Sequence, residues 1–160
     1  MSDGLLRVLT LISALGCGLV GGMFFAFSTF IMKALNHLPP AQGIAAMQSI
    51  NVVVINPLFM TAFFGTAATC VILTVSSLLR WPTPGGGFLL VGSLLYLFGT
   101  ILVTIVCNVP RNDALAAVDP ASAEGARLWA GYVTGWTAWN HVRTAAALAA
   151  AAVLSMALRH

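Results

Sequence analysis

The stretch VLTLISALGCGLVGGMFFAFSTFIM, residues 8–32, decides the fold. It runs for 25 residues without an Asp, Glu, Lys or Arg. An α-helix rises about 1.5 Å per residue, so about 20 apolar residues cross the hydrocarbon core of a bilayer. The stretch therefore predicts a membrane-spanning helix. Its apolar part is longer than the roughly 7–15 residues of a cleaved signal peptide, and we expect it to be retained.

Three more charge-poor runs follow, and the composition of the whole chain agrees with them. Charged residues make up 7% of the 160 residues and hydrophobic residues 59%, whereas a soluble domain carries about 25% charged residues. We predict one all-α domain over residues 1–160, an integral membrane four-helix bundle, because lipid cannot satisfy open backbone groups. The spans are expected near residues 7–32, 53–79, 87–107 and 140–158.

Two long connections lie on one face of this bundle, opposite both termini, and each is predicted to contain a short additional helix. The first helix runs from Pro40 to Asn51, after a Pro-Pro start. The second begins at about Ala123, with Asp119 or Ser122 as its cap.

The Lys and Arg residues predict the orientation. The terminal side carries Arg7, Arg80 and Arg159, and the other side carries Lys33, Arg111, Arg127 and Arg143. If Arg111 and Arg143 belong to a site, the excess of positive charge lies with the termini. We therefore expect a plasma (inner) membrane protein with both termini in the cytoplasm.

Other function classes find little support. The net charge of +3 is too small and scattered for nucleic-acid binding. The three cysteines lie in apolar runs and show no metal-binding spacing. His37 and His141 share a face with no carboxylate inside the bundle, so we predict no metal and no cofactor. Gly18 and Gly22 form a GxxxG pair, which fits close packing within the chain or contact with a second copy in a homo-oligomer.

Uncharged polar and aromatic residues collect at the ends of the spans opposite the termini. Trp129, Tyr132, Trp136, Asn140 and Arg143 step by 3, 4, 4 and 3 residues, which places them on one stripe of a helix. Polar groups in a bilayer are costly unless they pair inside the bundle. We therefore expect the stripe to face inward, against three asparagines of the other helices. These are Asn51, Asn56 and Asn108.

Each of these residues also has a purely structural interpretation. Tryptophan and tyrosine near span ends often form an interfacial belt, and Arg143 could reach the headgroups instead of a site. The asparagines could join helices by hydrogen bonds. His141 is rotated by about 100° from Asn140 on a helix, so it fits a neighbouring helix or the interface as well as a site.

Several segments carry a family resemblance. They are Gly21–Met32, Met47-Gln48-x-x-Asn51, Asn56-Pro57-x-Phe59, Asn108-Val-Pro110-x-Asn112-Asp113 and Trp136-x-x-Trp139-Asn140-His141-x-Arg143-Thr144. Together they resemble the anthrone-oxygenase-like family of small four-span membrane proteins.

The resemblance implies oxidation of an anthrone-type polycyclic phenol by O2, giving a quinone without metal or flavin. For that chemistry His141 is the predicted general base, and Arg143, Asn140 and Asn51 are the candidates for stabilising the enolate oxygen. The predicted substrate-binding residues are Asn51, Asn56, Asn108, Tyr132 and Trp136. A non-catalytic protein that binds a quinone or lipid, or an accessory subunit of a membrane complex, is the alternative. A transporter is disfavoured because no carboxylate lies in mid-membrane.

Overall fold

The computed structural model describes residues 2–160, and within that range the chain is helical with no strand. Five helices follow one another along the chain. They are α1 (Asp3–Asn36), α2 (Pro40–Val53), α3 (Pro57–Leu79), α4 (Gly86–Ala116) and α5 (Ala123–Ala157). The predicted all-α membrane bundle is confirmed at the level of fold class.

Three of these helices, α1, α3 and α4, are long and apolar enough to cross a membrane. The predicted fourth span lies in the second half of α5, which packs along α1 and α4 as the fourth long member of the bundle. This half is less apolar because it opens with Asn140, His141 and Arg143. Its crossing of the membrane remains a prediction.

The helices start where capping chemistry places them. Ser122 caps α5 by accepting a hydrogen bond from the Gly125 amide (2.9 Å), as predicted for this residue. The predicted helix after Pro39 is confirmed as α2, which extends to Val53. In the second connection no separate short helix forms, because α4 continues to Ala116 and α5 runs unbroken from Ala123.

Both termini lie at the same end of the bundle. Asp3 forms an ion pair with Arg80 in the turn between α3 and α4 (2.7 Å). The ring of His160 stacks on Phe88, with 5.5 Å between the centroids. In the same turn Gly85 adopts a left-handed backbone conformation (φ 77°) that other residues rarely adopt.

Close helix packing depends on glycines other than the predicted GxxxG pair. A Cβ at Gly21 would lie 2.9 Å from Leu148 Cδ2, and one at Gly92 would lie 2.7 Å from Leu154 Cγ. Both contacts bring α5 against its neighbours, α1 and α4. A Cβ at Gly22, by contrast, would meet no atom within 4 Å, so that face of α1 is open.

At the end opposite the termini, α2 lies across the bundle and covers it. Met47 and Ile44 of α2 are buried against Trp129 and Tyr132 of α5. Gln48 fastens α2 in place by donating hydrogen bonds to the carbonyl oxygens of Leu115 (2.8 Å) and Val118 (3.1 Å).

Two of the long helices contain π-helical turns. These lie at Phe27–Ile31 in α1 and at Leu97–Leu102 and Thr104–Asn108 in α4. A π-helical turn holds an extra residue and rotates the side chains that follow it, and such turns are frequent at functional sites. Both helices place these turns toward the covered end of the bundle.

Candidate functional site

A cavity of about 270 Å³ lies beneath α2, between the long helices. Its wall is mostly apolar and includes six aromatic side chains, namely Phe24, Phe27, Phe59, Phe63, Phe64 and Trp136. Only four polar side chains reach the wall, namely Asn51, Thr104, Asn112 and Arg143. A mostly apolar cavity with a few convergent polar groups is the usual form of a small-molecule site.

Arg143 is the charged residue of this wall, and it is 4% exposed. Its guanidinium lies over the Phe24 ring at 4.1 Å from the centroid and over the Trp136 ring at 5.1 Å. A cation over an aromatic face is stabilised by the negative face of the ring. The two rings therefore hold the guanidinium plane in one orientation at the cavity.

Hydrogen bonds fix the two ends of the same group. Arg143 donates from Nη2 to Asn140 Oδ1 (2.6 Å) and from Nη1 to Thr104 Oγ1 (3.2 Å). Thr104 lies in the second π-helical turn of α4, so this turn supplies one of the two acceptors. The guanidinium is thus tied to α5 and α4 and stacked against α1.

Asn140 lies behind Arg143 and connects it to α1. It is fully buried, and its Nδ2 donates to the carbonyl oxygen of Phe24 (2.7 Å) and to Ser28 Oγ (2.7 Å). Ser28 Oγ is 3.1 Å from Thr144 Oγ1, which itself donates to the carbonyl of Asn140 (2.8 Å). All hydrogen-bonding atoms of the Asn140 side chain are therefore used in positioning Arg143.

No carboxylate among residues 2–160 balances this buried cation. Among residues 2–160 the one ion pair joins Asp3 and Arg80 at the far end of the bundle. The remaining acids of the chain, Asp113, Asp119 and Glu124, form no ion pair there. Arg143 Nε also has no hydrogen-bond partner in the described part of the chain. Burying a charge costs several kcal/mol unless it is paired, by order of magnitude. An anionic or oxygen-bearing ligand would supply the missing partner.

A second group of hydrogen bonds fixes Trp136. Asn112 Oδ1 accepts from Trp136 Nε1 (2.8 Å) and from the Tyr132 hydroxyl (2.9 Å). Asn108 is buried and donates from Nδ2 to the carbonyl of Trp136 (3.2 Å). Trp129, Tyr132 and Trp136 stack successively, with centroids 5.5 and 6.2 Å apart. Trp136 is the member of this stack that borders the cavity.

Asn51 reaches the cavity from α2. Its Nδ2 is buried and has no hydrogen-bond partner in the part of the chain that the structure describes. This donor atom and Arg143 Nε are both covered by neighbouring groups, so a side chain would have to turn before either could donate to a ligand.

The structure brings most of the predicted site residues together, in two layers. Asn51, Trp136 and Arg143 border the cavity, while Asn108, Tyr132 and Asn140 lie behind them and position them. The predicted stripe from Trp129 to Arg143 is confirmed to face inward, since all five of its residues are buried.

Two predicted residues lie elsewhere. His141 is exposed and borders a separate outer groove with Lys33 and Asn36, so the structure does not bring the predicted general base to the cavity. Asn56 is exposed and caps α3: it accepts from the Phe59 amide (3.0 Å) and donates to the carbonyl of Val53 (3.0 Å). Its side chain is occupied by the helix start, because Asn before Pro is a favourable N-cap sequence.

Other residues of the site had weak sequence signals. Thr104 lies four residues before Asn108, but an uncharged threonine in an apolar run looks like an ordinary helix residue. Asn112 belongs to a polar cluster after the third apolar run, yet nothing in its spacing indicates that it holds Trp136. Phe24 and Phe63 form an edge-to-face pair (6.4 Å) at the cavity. The sequence around Phe24 and Phe63 does not distinguish these residues from phenylalanines of the core.

A further cavity of about 260 Å³ lies at the end of the bundle with the termini. It is bordered by Arg7, Arg80 and His160, which are exposed, and Arg80 is already paired with Asp3. The buried polar residue of its wall, Thr10, already donates a hydrogen bond to the carbonyl oxygen of Leu6 (2.8 Å). Residues 2–160 contain no group of three or more His, Cys, Asp or Glu side chains that could hold a metal ion.

The long apolar helices define a helical membrane protein, and an apolar cavity lies at its covered end. The family model for anthrone oxygenase matches residues 59–153. The chain therefore belongs to the anthrone oxygenase family, as the sequence resemblance predicts. The matched region includes Thr104, Asn112 and Arg143 of the cavity wall, and it excludes Asn51. Comparisons with curated proteins and with solved structures give no match.

Proposed function

We propose that this protein is a membrane-embedded oxygenase that oxidises an anthrone-type or similar phenolic aromatic molecule with O2. One observation carries the proposal: Arg143 is a buried cation at an aromatic cavity with no carboxylate partner. Its guanidinium is already oriented by Asn140 and Thr104 before any ligand binds. Preorganised donors aimed at a developing negative charge are an effective means of stabilising an oxyanion.

The reaction itself needs only the substrate and O2. An anthrone loses a proton from its central CH2 group and becomes an enolate, with the charge shared between oxygen and carbon. This carbon forms a bond to O2, and protonation gives a hydroperoxide. Loss of water then breaks the O–O bond and leaves a second carbonyl. One anthrone and one O2 thus give one quinone and one water.

In this proposal the side chains act on the first step of the reaction, the formation of the enolate. Arg143 hydrogen-bonds the enolate oxygen and favours the ionised form of the substrate. Trp136 and the phenylalanines of the wall hold the flat rings by stacking and apolar contact. The wall carries neither carboxylate nor histidine among residues 2–160, so the proposal gives His141 no part in the reaction. The proton leaves to a water molecule inside the cavity and returns to the peroxide in the protonation step.

A non-catalytic quinone-binding role is the second candidate. Arg143 and Asn51 line the cavity, and each carries a donor without a partner among residues 2–160. Neutral carbonyl oxygens of a quinone would satisfy these donors once the side chains turn toward the cavity. In that case the cavity would bind the oxidised ring system without forming it. The same apolar wall and the same arginine would serve either role, so turnover is the measurement that separates them.

The test is turnover by the purified protein in lipid nanodiscs supplied with anthrone in air. Quinone absorbance and O2 uptake are recorded together, with empty nanodiscs and Arg143→Met protein as controls. The proposal predicts quinone formation above both controls, with one O2 consumed per quinone. Binding of anthraquinone without any turnover would instead establish the second candidate.

We also propose that the protein lies in the plasma (inner) membrane with both termini in the cytoplasm. The contacts of Asp3 with Arg80 and of His160 with Phe88 support a shared side for both termini. The cytoplasmic side is chosen because Arg7, Arg80 and Arg159 lie at this end. Reporter fusions at Met1 and His160 are expected to be active on the cytoplasmic side. Fusions that report opposite sides, or the outer side for both, would contradict this topology.

A further inference from the structure

The cavity at Arg143 is closed toward the membrane surface. Above it lies α2, whose Met47 is 1% exposed, and beside α2 the stacked rings of Trp129 and Tyr132 are each 3% exposed. Gln48 fastens α2 to the connection between α4 and α5 by two hydrogen bonds. A ligand arriving from water at this end would have to displace a packed helix and break these contacts.

The cavity is open on a different side, between α3 and α4. The two helices pack together along Gly86–Leu102, but the turn Thr104–Asn108 packs mainly against α5 and the neighbouring turns of α4. Large side chains on the rim of this gap both line the cavity and remain exposed. Phe64 is 54% exposed, Ile105 55% and Val109 40%.

The rim continues at the break between α2 and α3, where Ile55 lines the cavity and is 70% exposed. Every one of these rim residues is apolar. Phe64 and Ile105 lie inside helices that are long and apolar enough to cross a membrane. Large apolar side chains at this depth face hydrocarbon, because exposing them to water would be unfavourable.

We propose that the ligand enters this cavity sideways from the lipid hydrocarbon, through the opening bounded by Ile55, Phe64, Ile105 and Val109. The entering molecule is then of one chemical class: flat, uncharged and dissolved in the bilayer, with an oxygen that reaches Arg143. A charged or strongly hydrated molecule is excluded because it would pay a desolvation cost in the hydrocarbon. This inference rests on the proposed function only in taking Arg143 as the ligand's partner.

Two adjacent residues of α4 provide a matched pair for the test. Ile105 lines the opening, whereas Val106 is 60% exposed and does not border the cavity. Ile105→Phe adds a ring at the opening, and Val106→Phe adds the same ring to lipid-facing surface. Ile55→Phe narrows the opposite rim and serves as a second blocking variant, should Ile105→Phe fold poorly.

The probe is 9,10-anthraquinone, which does not react, added to protein in nanodiscs and followed by quenching of tryptophan fluorescence. We expect Ile105→Phe to slow association and dissociation together by about tenfold, equivalent to about 1.4 kcal/mol in the barrier, with Kd little changed. Val106→Phe should match the wild type.

Equal rates in the Ile105→Phe and Val106→Phe proteins would overturn the lateral entrance. Absence of any anthraquinone binding by the wild type would overturn it as well. Anthraquinone binding that slows in the rim variants, without anthrone turnover, would support the lateral entrance and contradict only the oxygenase proposal. Anthrone turnover together with binding rates that neither Ile105→Phe nor Ile55→Phe changes would support the oxygenase proposal and contradict the lateral entrance.

Discussion

Replacing Arg143 by lysine keeps the positive charge and removes the planar guanidinium group with its several N–H donors. In the wild type, Nη2 and Nη1 bind two acceptors on different helices, Asn140 Oδ1 and Thr104 Oγ1, while the plane stacks between Phe24 and Trp136. A single ammonium on a flexible stem cannot make these contacts and present a donor to the ligand at the same time. We therefore expect Arg143→Lys to fold normally and to bind its ligand poorly.

The magnitude follows from the hydrogen bonds that are lost. Losing a charge-assisted hydrogen bond in a dry cavity costs about 2–4 kcal/mol, or about 30- to 1,000-fold in affinity or turnover. Anthraquinone binding and anthrone turnover in nanodiscs measure the two effects. Arg127→Lys is the matched control, since Arg127 is exposed on the same helix, and it should change neither. An Arg143→Lys protein that binds and turns over like the wild type would refute this role for the guanidinium.

Three further substitutions separate the cavity from its surroundings. Asn140→Ala should weaken ligand binding and lower the free energy of unfolding by about 1–3 kcal/mol, because Arg143 loses a hydrogen-bond acceptor and buried groups are left unpaired. Unchanged binding and an unchanged melting temperature would contradict this prediction. His141→Ala should leave binding and turnover at wild-type values, because its side chain lies in the outer groove, and a loss of turnover would restore the predicted base. Asn56→Ala should destabilise the protein by about 1 kcal/mol through loss of the α3 cap, with anthraquinone affinity unchanged; a selective loss of affinity would make Asn56 a ligand contact.

The helices and the inward stripe were predictable because both depend on strong, local rules. A run such as residues 8–32, without charge, can only be stable as a helix in lipid. Spacings of three and four residues place Trp136, Asn140 and Arg143 on one helical face whatever the partner helices are. The cost of exposing a polar group to hydrocarbon then turns that face inward.

The residues that contact this face of α5 were not predictable, because they depend on how the neighbouring helices are aligned with α5. The π-helical turn Thr104–Asn108 rotates part of α4, and no residue type in the sequence signals such a turn. For Asn56 a local signal was present: Asn before Pro favours a helix cap, and the cap takes up the side chain. His141 lies one residue beyond Asn140, and that rotation of about 100° is enough to carry it out of the site.

The central claim is that Arg143 favours the anionic form of an aromatic oxygen inside the cavity, and its most direct test is the ionisation of a bound phenol. A hydroxyanthraquinone changes colour when its phenol loses a proton, so an absorbance titration of the probe bound in nanodiscs reports its pKa. A cation within about 4–6 Å lowers the pKa of an acid by roughly 1–3 units, because it stabilises the anion. We predict that the bound phenol ionises at lower pH than in protein-free lipid and that Arg143→Met removes the difference. The same ionisation midpoint in protein-free lipid, wild type and Arg143→Met protein would contradict the account.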